Sequence, residues 1–264
     1  MIFDTHAHYD SREFDEDRDE LIASLPEHGI GRVVNVGARL EGSRNSVRLS
    51  EQYDHFYAAV GVHPDDCGAM EESWIDELRE LASHEKVVAI GEIGLDYHGF
   101  GVYEDKVDKE TQKHWFWEQL MLAKDLALPV IIHSRNASED TLSIMRKARE
   151  EGIERVVMHC YSYASEAAKE YVSMGYYLGF GGVVTYEGQR KLTKVLEHVP
   201  LDHILLETDC PYLAPTPHRG ERNSSLYLPA VRDRIAQIKG VSPEEVERIT
   251  WDNGCRLFFT KILQ

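Results

Sequence analysis

Residues 87–92 read VVAIGE. Val87, Val88, Ala89 and Ile90 are apolar without a break, and a carboxylate follows at Glu92. A strand with one wet face alternates apolar and polar residues, so an unbroken run marks a strand covered on both faces. Further runs of this kind are IFD (2–4), VVNVG (33–37), YAAVGVH (57–63), VIIHS (130–134), VVMHC (156–160), YYLGFGG (176–182) and ILLETD (204–209). Longer charged stretches with helical periodicity separate them. Phe116, Leu120, Ala123 and Ala127, for example, share one helical face. Buried parallel strands alternating with helices predict an α/β fold, and eight such units predict a (β/α)8 TIM barrel. A doubly wound open sheet is the alternative.

The chain has 264 residues, an ordinary length for one barrel, and no Gly/Ser linker divides it. Residues 1–264 are therefore expected to form a single domain. An extra C-terminal helix is expected from Pro243 to about Phe259, because Ser242 and Glu245 have capping-box spacing and Pro243 takes the first helical position. Hydrophobic residues make up 42%, enough for a large core, yet no apolar run approaches the ~18 residues that span a bilayer. No basic segment followed by an apolar stretch opens the chain. Cys67, Cys160, Cys210 and Cys255 form no close-spaced pair, so a cytoplasmic protein with reduced thiols is expected. The net charge of −17 argues against a general nucleic-acid coat protein. It leaves room for an enzyme that grips phosphates locally through metal ions and a few arginines.

His6 and His8 stand two apart behind the first apolar run, so on an extended strand both aim at one point. They are two of 13 histidines. His6, His8, His63, His133 and His159 all fall at strand exits, as do Glu92, Glu207 and Asp209. In a barrel these exits open on the face that carries active sites. His28, His84 and His198 lie near predicted helix C-termini, and His55 and His203 at strand entrances, all away from that face. His98, His114 and His218 belong to loops or a helix start. Imidazole and carboxylate together suit Zn, Mn, Fe, Co or Ni, and a carboxylate-rich site also takes Mg. His6, His8, Glu92, His133, His159 and Asp209 exceed the four ligands of a closed tetrahedral site. Two divalent ions (Mg, Zn or Mn) are therefore expected, with Glu92 bridging them about 3.5–4 Å apart. Cys160 and Cys210 each adjoin a proposed ligand, and strand alternation would turn them away into packing.

Several stretches resemble the TatD family of metal-dependent deoxyribonucleases, within the amidohydrolase-like barrels. They are DTHAHYD (4–10), GVHP (61–64), GEIGLDY (91–97), PVIIHSR (129–135), the HC of VVMHC (159–160), ETDCPYLAP (207–215) and the N-x-x-RLF of NGCRLF (253–258). They keep the family's order and span nearly the whole chain. The resemblance implies a TIM barrel of the metallo-dependent hydrolase type that hydrolyses phosphodiester bonds in DNA or an oligonucleotide. By position the same six residues match the family's metal ligands, and His63 matches a histidine near the metals and is expected to bind substrate. Arg135 follows ligand His133 as in the family and could contact phosphate. Two departures affect the loops at the mouth. Asn223-Ser224-Ser225 stands where the family commonly has N-E-P, and the segment from His98 to Glu110 is longer and more acidic than usual.

The expected reaction is attack on phosphorus by a metal-activated water. Asp209 would ligate and accept or orient the proton, Glu92 would bridge, and Arg135 would neutralise phosphate charge. Arg219, in the loop after the last strand, could add a phosphate contact or stand solvated on the surface. Glu207 could orient a ligand or lie in the barrel wall. No membrane contact and no obligate protein partner is expected. The rival readings are a deacylase or amidohydrolase, acting on an ester or amide such as a D-aminoacyl-tRNA, and a non-catalytic metal-binding barrel. The last conflicts with the six intact ligand positions.

Overall fold

The computed structural model describes residues 1–102 and 106–259. Residues 103–105, inside the acidic segment flagged above, and residues 260–264, at the end of the expected domain, lie outside the described residues.

Strands β1 (Ile2–Ala7), β2 (Ile30–Val36), β3 (Phe56–Val60), β4 (Val87–Asp96), β5 (Val130–Arg135), β6 (Val156–Met158), β7 (Tyr177–Phe180) and β8 (Ile204–Leu206) form one sheet in chain order. Every neighbouring pair is parallel. The outer strands also meet. Asp209 N donates to His6 O at 2.9 Å, and His8 N donates to Cys210 O at 2.8 Å. The sheet thus nearly closes on itself as a barrel, which removes the open-sheet alternative. Each apolar run read from the sequence became a strand, because only strands packed on both faces can bury such runs.

Helices α1 (Arg18–Ser24), α2 (Leu40–Gln52), α3 (Glu72–Leu81), α4 (Lys109–Leu126), α5 (Ser138–Glu150), α6 (Ser165–Ser173), α7 (Arg190–His198) and α8 (Leu228–Lys239) alternate with the strands. Helix α9 (Pro243–Phe259) follows, with Glu245 N donating to Ser242 Oγ at 3.2 Å. Phe3, Val34, Val36, Ala59, Ala89, Ile131, Val157, Tyr177 and Leu205 fill the barrel interior, one or two from each strand. Leu257, Phe258 and Phe259 of α9 close that cluster, with Phe258 5.8 Å from Phe3 between ring centroids. Each ring buried there contributes about 1.5–3 kcal/mol relative to exposure. The plug seals the strand-entrance end and leaves the opposite end free for polar groups.

Two breaks in strand register decide what faces that open end. Phe3 and His6 are three apart, so a regular strand would put them on opposite faces. The β1–β2 register shifts between Asp4 and Ala7, and both side chains reach the interior. The same device operates in β4, where the register with β5 shifts between Ile90 and Ile93. Ala89 and Glu92 then both point inward. Each shift sits directly beside a proposed ligand.

Candidate metal centre

The open end gathers the strand-exit residues into two connected donor groups. In the first, His6 Nε2 and His8 Nε2 lie 3.1 Å apart. Asp209 Oδ1 is 3.4 Å from His8 Nε2, and Glu92 Oε2 is 3.5 Å from His6 Nε2. In the second, Glu92 Oε1 is 2.8 Å from His133 Nδ1 and 3.9 Å from His63 Nε2. His159 stands between them, its Nε2 3.7 Å from Glu92 Oε1 and 3.9 Å from Asp209 Oδ1. The two oxygens of Glu92 therefore face different groups. His63, expected near substrate, sits inside the second donor group, its ring 4.3 Å from that of His133.

The donor set fits divalent ions. Two imidazole nitrogens at hydrogen-bond distance, backed by two carboxylate oxygens, suit a transition metal or Zn better than any single polar partner. His8 Nδ1 faces Val36 O at 2.8 Å, which orients the ring and aims Nε2 toward the centre. His6 Nδ1 is buried with no hydrogen-bond partner, so Nε2 is that ring's outlet. The rings of His6 and His159 stack at 3.5 Å between centroids. Two imidazolium rings would repel at that distance, so the pair suits neutral rings that bind cations through their lone pairs.

Electrostatics push the groups apart. Burial opposes charge on His8, but the Asp209 and Glu92 carboxylates outweigh it and raise the ring to about 9. Burial likewise opposes charge on His133, yet Asp96 and Glu92 raise it to about 9. His159 rises to about 8 against burial, through Glu207, Glu92 and Asp209. His6 is lowered by burial and by His159, and His63 by burial and His133 to about 4. Burial raises Glu92, but the surrounding imidazoles hold it well below the ordinary carboxylate range.

Supporting residues surround the cluster; Asp96, Lys106 and Asp4 escaped the sequence reading, whereas Glu207 was among its candidates. Strand β4 continues past Glu92 to Asp96, which stands on the same face. Asp96 Oδ2 lies 3.1 Å from His133 Nε2, opposite Glu92, so carboxylates bracket both ring nitrogens. Lys106, in the acidic segment, reaches Asp96 Oδ1 at 3.3 Å and also pairs with Asp65. Glu207 accepts from Cys160 N at 2.6 Å and lies 3.2 Å from His159 Nδ1, the position of an orienting group. Asp4 is fully buried; its carboxylate accepts from Thr208 N at 3.0 Å, Thr208 Oγ1 at 2.7 Å and Ser225 Oγ at 2.6 Å. Burial pushes Asp4 up to about 7 against these bonds.

Two expectations need correction. Cys160 does not turn away: its Sγ comes within ligand range of His159 and Asp209. Strand β6 ends at Met158, and Cys160 has φ +45°, so strand alternation no longer applies there. Asn223 and Ser225 do not border the mouth. Both are buried, and Asn223 Nδ2 donates to Thr208 O at 2.9 Å and Tyr212 O at 2.7 Å, bracing the loop after β8 from beneath. Arg135 is exposed at the end of β5, near enough to Cys160 for its charge to act there. Arg219 packs over the Tyr186 ring at 4.4 Å rather than reaching the donor groups.

The remaining histidines lie elsewhere. His28, His198, His55 and His203 bond to the carbonyls of Ser24, Lys194, Ile22 and Tyr176, and His84 to Glu51. Replacing any of these five with Gln is expected to leave metal content whole and turnover within a few-fold. Metal loss in His203→Gln, measured by mass spectrometry, would overturn the strand assignment.

A nearly closed parallel barrel with a histidine–carboxylate cluster at its strand exits defines the class of metal-dependent hydrolases. The TatD related DNase family model matches residues 3–259, and the chain belongs to that family. It is 43% identical to the uncharacterized metal-dependent hydrolase YabD of Bacillus subtilis, covering 98% of this chain and 99% of that one. It is 35% identical to a protein named 3'-5' ssDNA/RNA exonuclease TatD in Cronobacter sakazakii, with 97% of each covered. Among solved structures, the TatD homologue YjjV of Escherichia coli K12 superposes with a TM-score of 0.89 at 29% identity, covering 97% of each chain. No helix among the described residues is long and apolar enough to cross a membrane.

Proposed function

We propose that this single-domain metal-dependent hydrolase cleaves phosphodiester bonds in single-stranded DNA or RNA. The observation that carries the reading is Glu92, whose two oxygens face two separate donor groups 2.8–3.5 Å away. His6, His8 and Asp209 would hold one divalent ion, and His133 and His159, with His63 beside them, the other. Such a pair supplies an activated water and a clamp for the attacked phosphate's oxygens. The protein's own groups do the rest. Asp209, with side chain 17% exposed, is the most open of the carboxylates around Glu92 and is placed to accept or orient the water's proton. Glu207 and Asp96 fix the imidazoles behind the cluster. Arg135, exposed at the rim, offers a forked guanidinium to phosphate oxygens. The activity named for the Cronobacter relative supports nucleic acid as substrate.

The test runs metal-reconstituted enzyme on a single-stranded oligonucleotide and, in parallel, on neutral ester and amide substrates. Hydrolysis of the oligonucleotide that vanishes with a chelator and returns with metal is expected. Cleavage of the ester or amide alone would replace this reading with the deacylase one. Within the same assay, Arg135→Lys is expected to keep both metals but lower kcat/KM on the oligonucleotide about tenfold, the scale of one charge-assisted bond. Equal losses on charged and neutral substrates would remove Arg135 from phosphate recognition.

A further inference from the structure

We propose that a groove beside the exit of β7 carries the sugar–phosphate backbone of a single-stranded nucleic acid away from the cleaved bond. This rests on the nuclease reading above and adds a second binding region to it. A cavity of about 800 Å³ lies between the loop after β7, the start of α7 and the side of α8, lined by Thr185, Tyr186, Arg190, Lys194 and Arg234 among others.

The groove adjoins the loop that leaves Asp209. Tyr186 OH donates to Ala214 O at 2.9 Å, and Thr216 N donates to Thr185 Oγ1 at 2.8 Å. The Arg219 guanidinium covers the Tyr186 ring. Ala214, Thr216 and Arg219 all belong to the loop that leaves Asp209. A strand held at the donor groups and following that loop reaches Arg219 and then the cavity.

Charge suits this groove to an anionic chain. The chain as a whole carries 29 basic against 46 acidic residues, so cations grouped along one groove give a local site for phosphates. Some cations on the outer helices are held by acids: Arg79 by Asp125 at 3.1 Å, Arg146 by Glu170 at 2.5 Å, and Arg232 by Glu247 at 3.0 Å. Among the described residues no carboxylate pairs with Arg190, Lys194 or Arg234. Glu187 and Glu197 also line the groove, yet neither makes an ion pair with these cations. Arg190 and Lys194 stand four apart on α7 and face the same side. Dispersed cations along an open groove suit a run of phosphates, bound without regard to base sequence.

The experiment compares wild type with Arg190→Gln/Lys194→Gln on a dinucleotide and on a strand of about twelve nucleotides, within the range one such groove covers. Both residues are exposed, and circular dichroism checks the fold. For the long strand KM should rise about tenfold with kcat unchanged, while the dinucleotide is cleaved as before. The salt dependence of binding, read by anisotropy on a labelled strand with metal chelated, should flatten by about 1.4 in log–log slope, two contacts at roughly 0.7 each. Equal changes on both lengths, or an unchanged slope, would overturn the groove. The nuclease reading fails separately, if wild-type enzyme loaded with metal cleaves neither substrate.

Discussion

Glu92→Gln is expected to lose most bound metal and at least about a hundredfold in turnover while the barrel stays folded. Groups that merely orient a metal ligand typically cost 10–100-fold when changed, and a bridging ligand should exceed that. Glu92 is 4% exposed and faces both donor groups at once. The amide keeps the shape but loses the charge, and its NH2 end presents donors where a cation would need acceptors. His133 still finds an oxygen if the amide turns that way, so packing survives. Metal content by mass spectrometry and circular dichroism belong in one experiment. A folded variant with full metal and normal turnover would end the bridging role.

How much of this site the sequence carried depends on backbone regularity. His133 and His159 follow Ile131 and Val157 by two residues, and all four face inward, as alternation alone predicts. The start of α9 was likewise readable, because Ser242, Pro243 and Glu245 act through local bonds. His6 and Glu92 reached the cluster for a different reason. Both are turned in by register shifts, which depend on hydrogen bonds to the neighbouring strand and have no signature in a short run of residues. Ending β4 at its first carboxylate also hides Asp96, although Glu92, Gly94 and Asp96 share a face once the strand continues. Cys160 defeated the reading because β6 stops two residues before it. The Asn223–Ser225 departure misled for a related reason. A loop replaced in sequence was expected at the mouth, but its side chains are spent bracing Asp4 and Thr208 from inside.

Gly94→Ala should be the most damaging single-carbon change in the barrel. Gly94 pairs with His133 across β4 and β5, and an added β-carbon would fall 1.9 Å from His133 O and 3.1 Å from His133 N. Those are backbone atoms, so no side chain can swing aside. Either the strands part or the φ of +149° changes, and both displace His133 from Glu92 and Asp96. Overpacking costs about 1–3 kcal/mol and a strained backbone about as much again. At about 2–4 °C per kcal/mol for a chain this size, Tm should fall by about 10 °C. Metal content should fall with it, since a proposed ligand moves. Gly152→Ala separates the two costs. Its φ is +90°, but nothing lies within 4 Å of the new carbon, so it carries the conformational strain alone. That variant should lose only a few degrees and keep its metal. The comparison uses scanning calorimetry and metal analysis on both variants. A Gly94→Ala protein that melts within about two degrees of wild type with metal intact would show that β4 and β5 do not meet in this register.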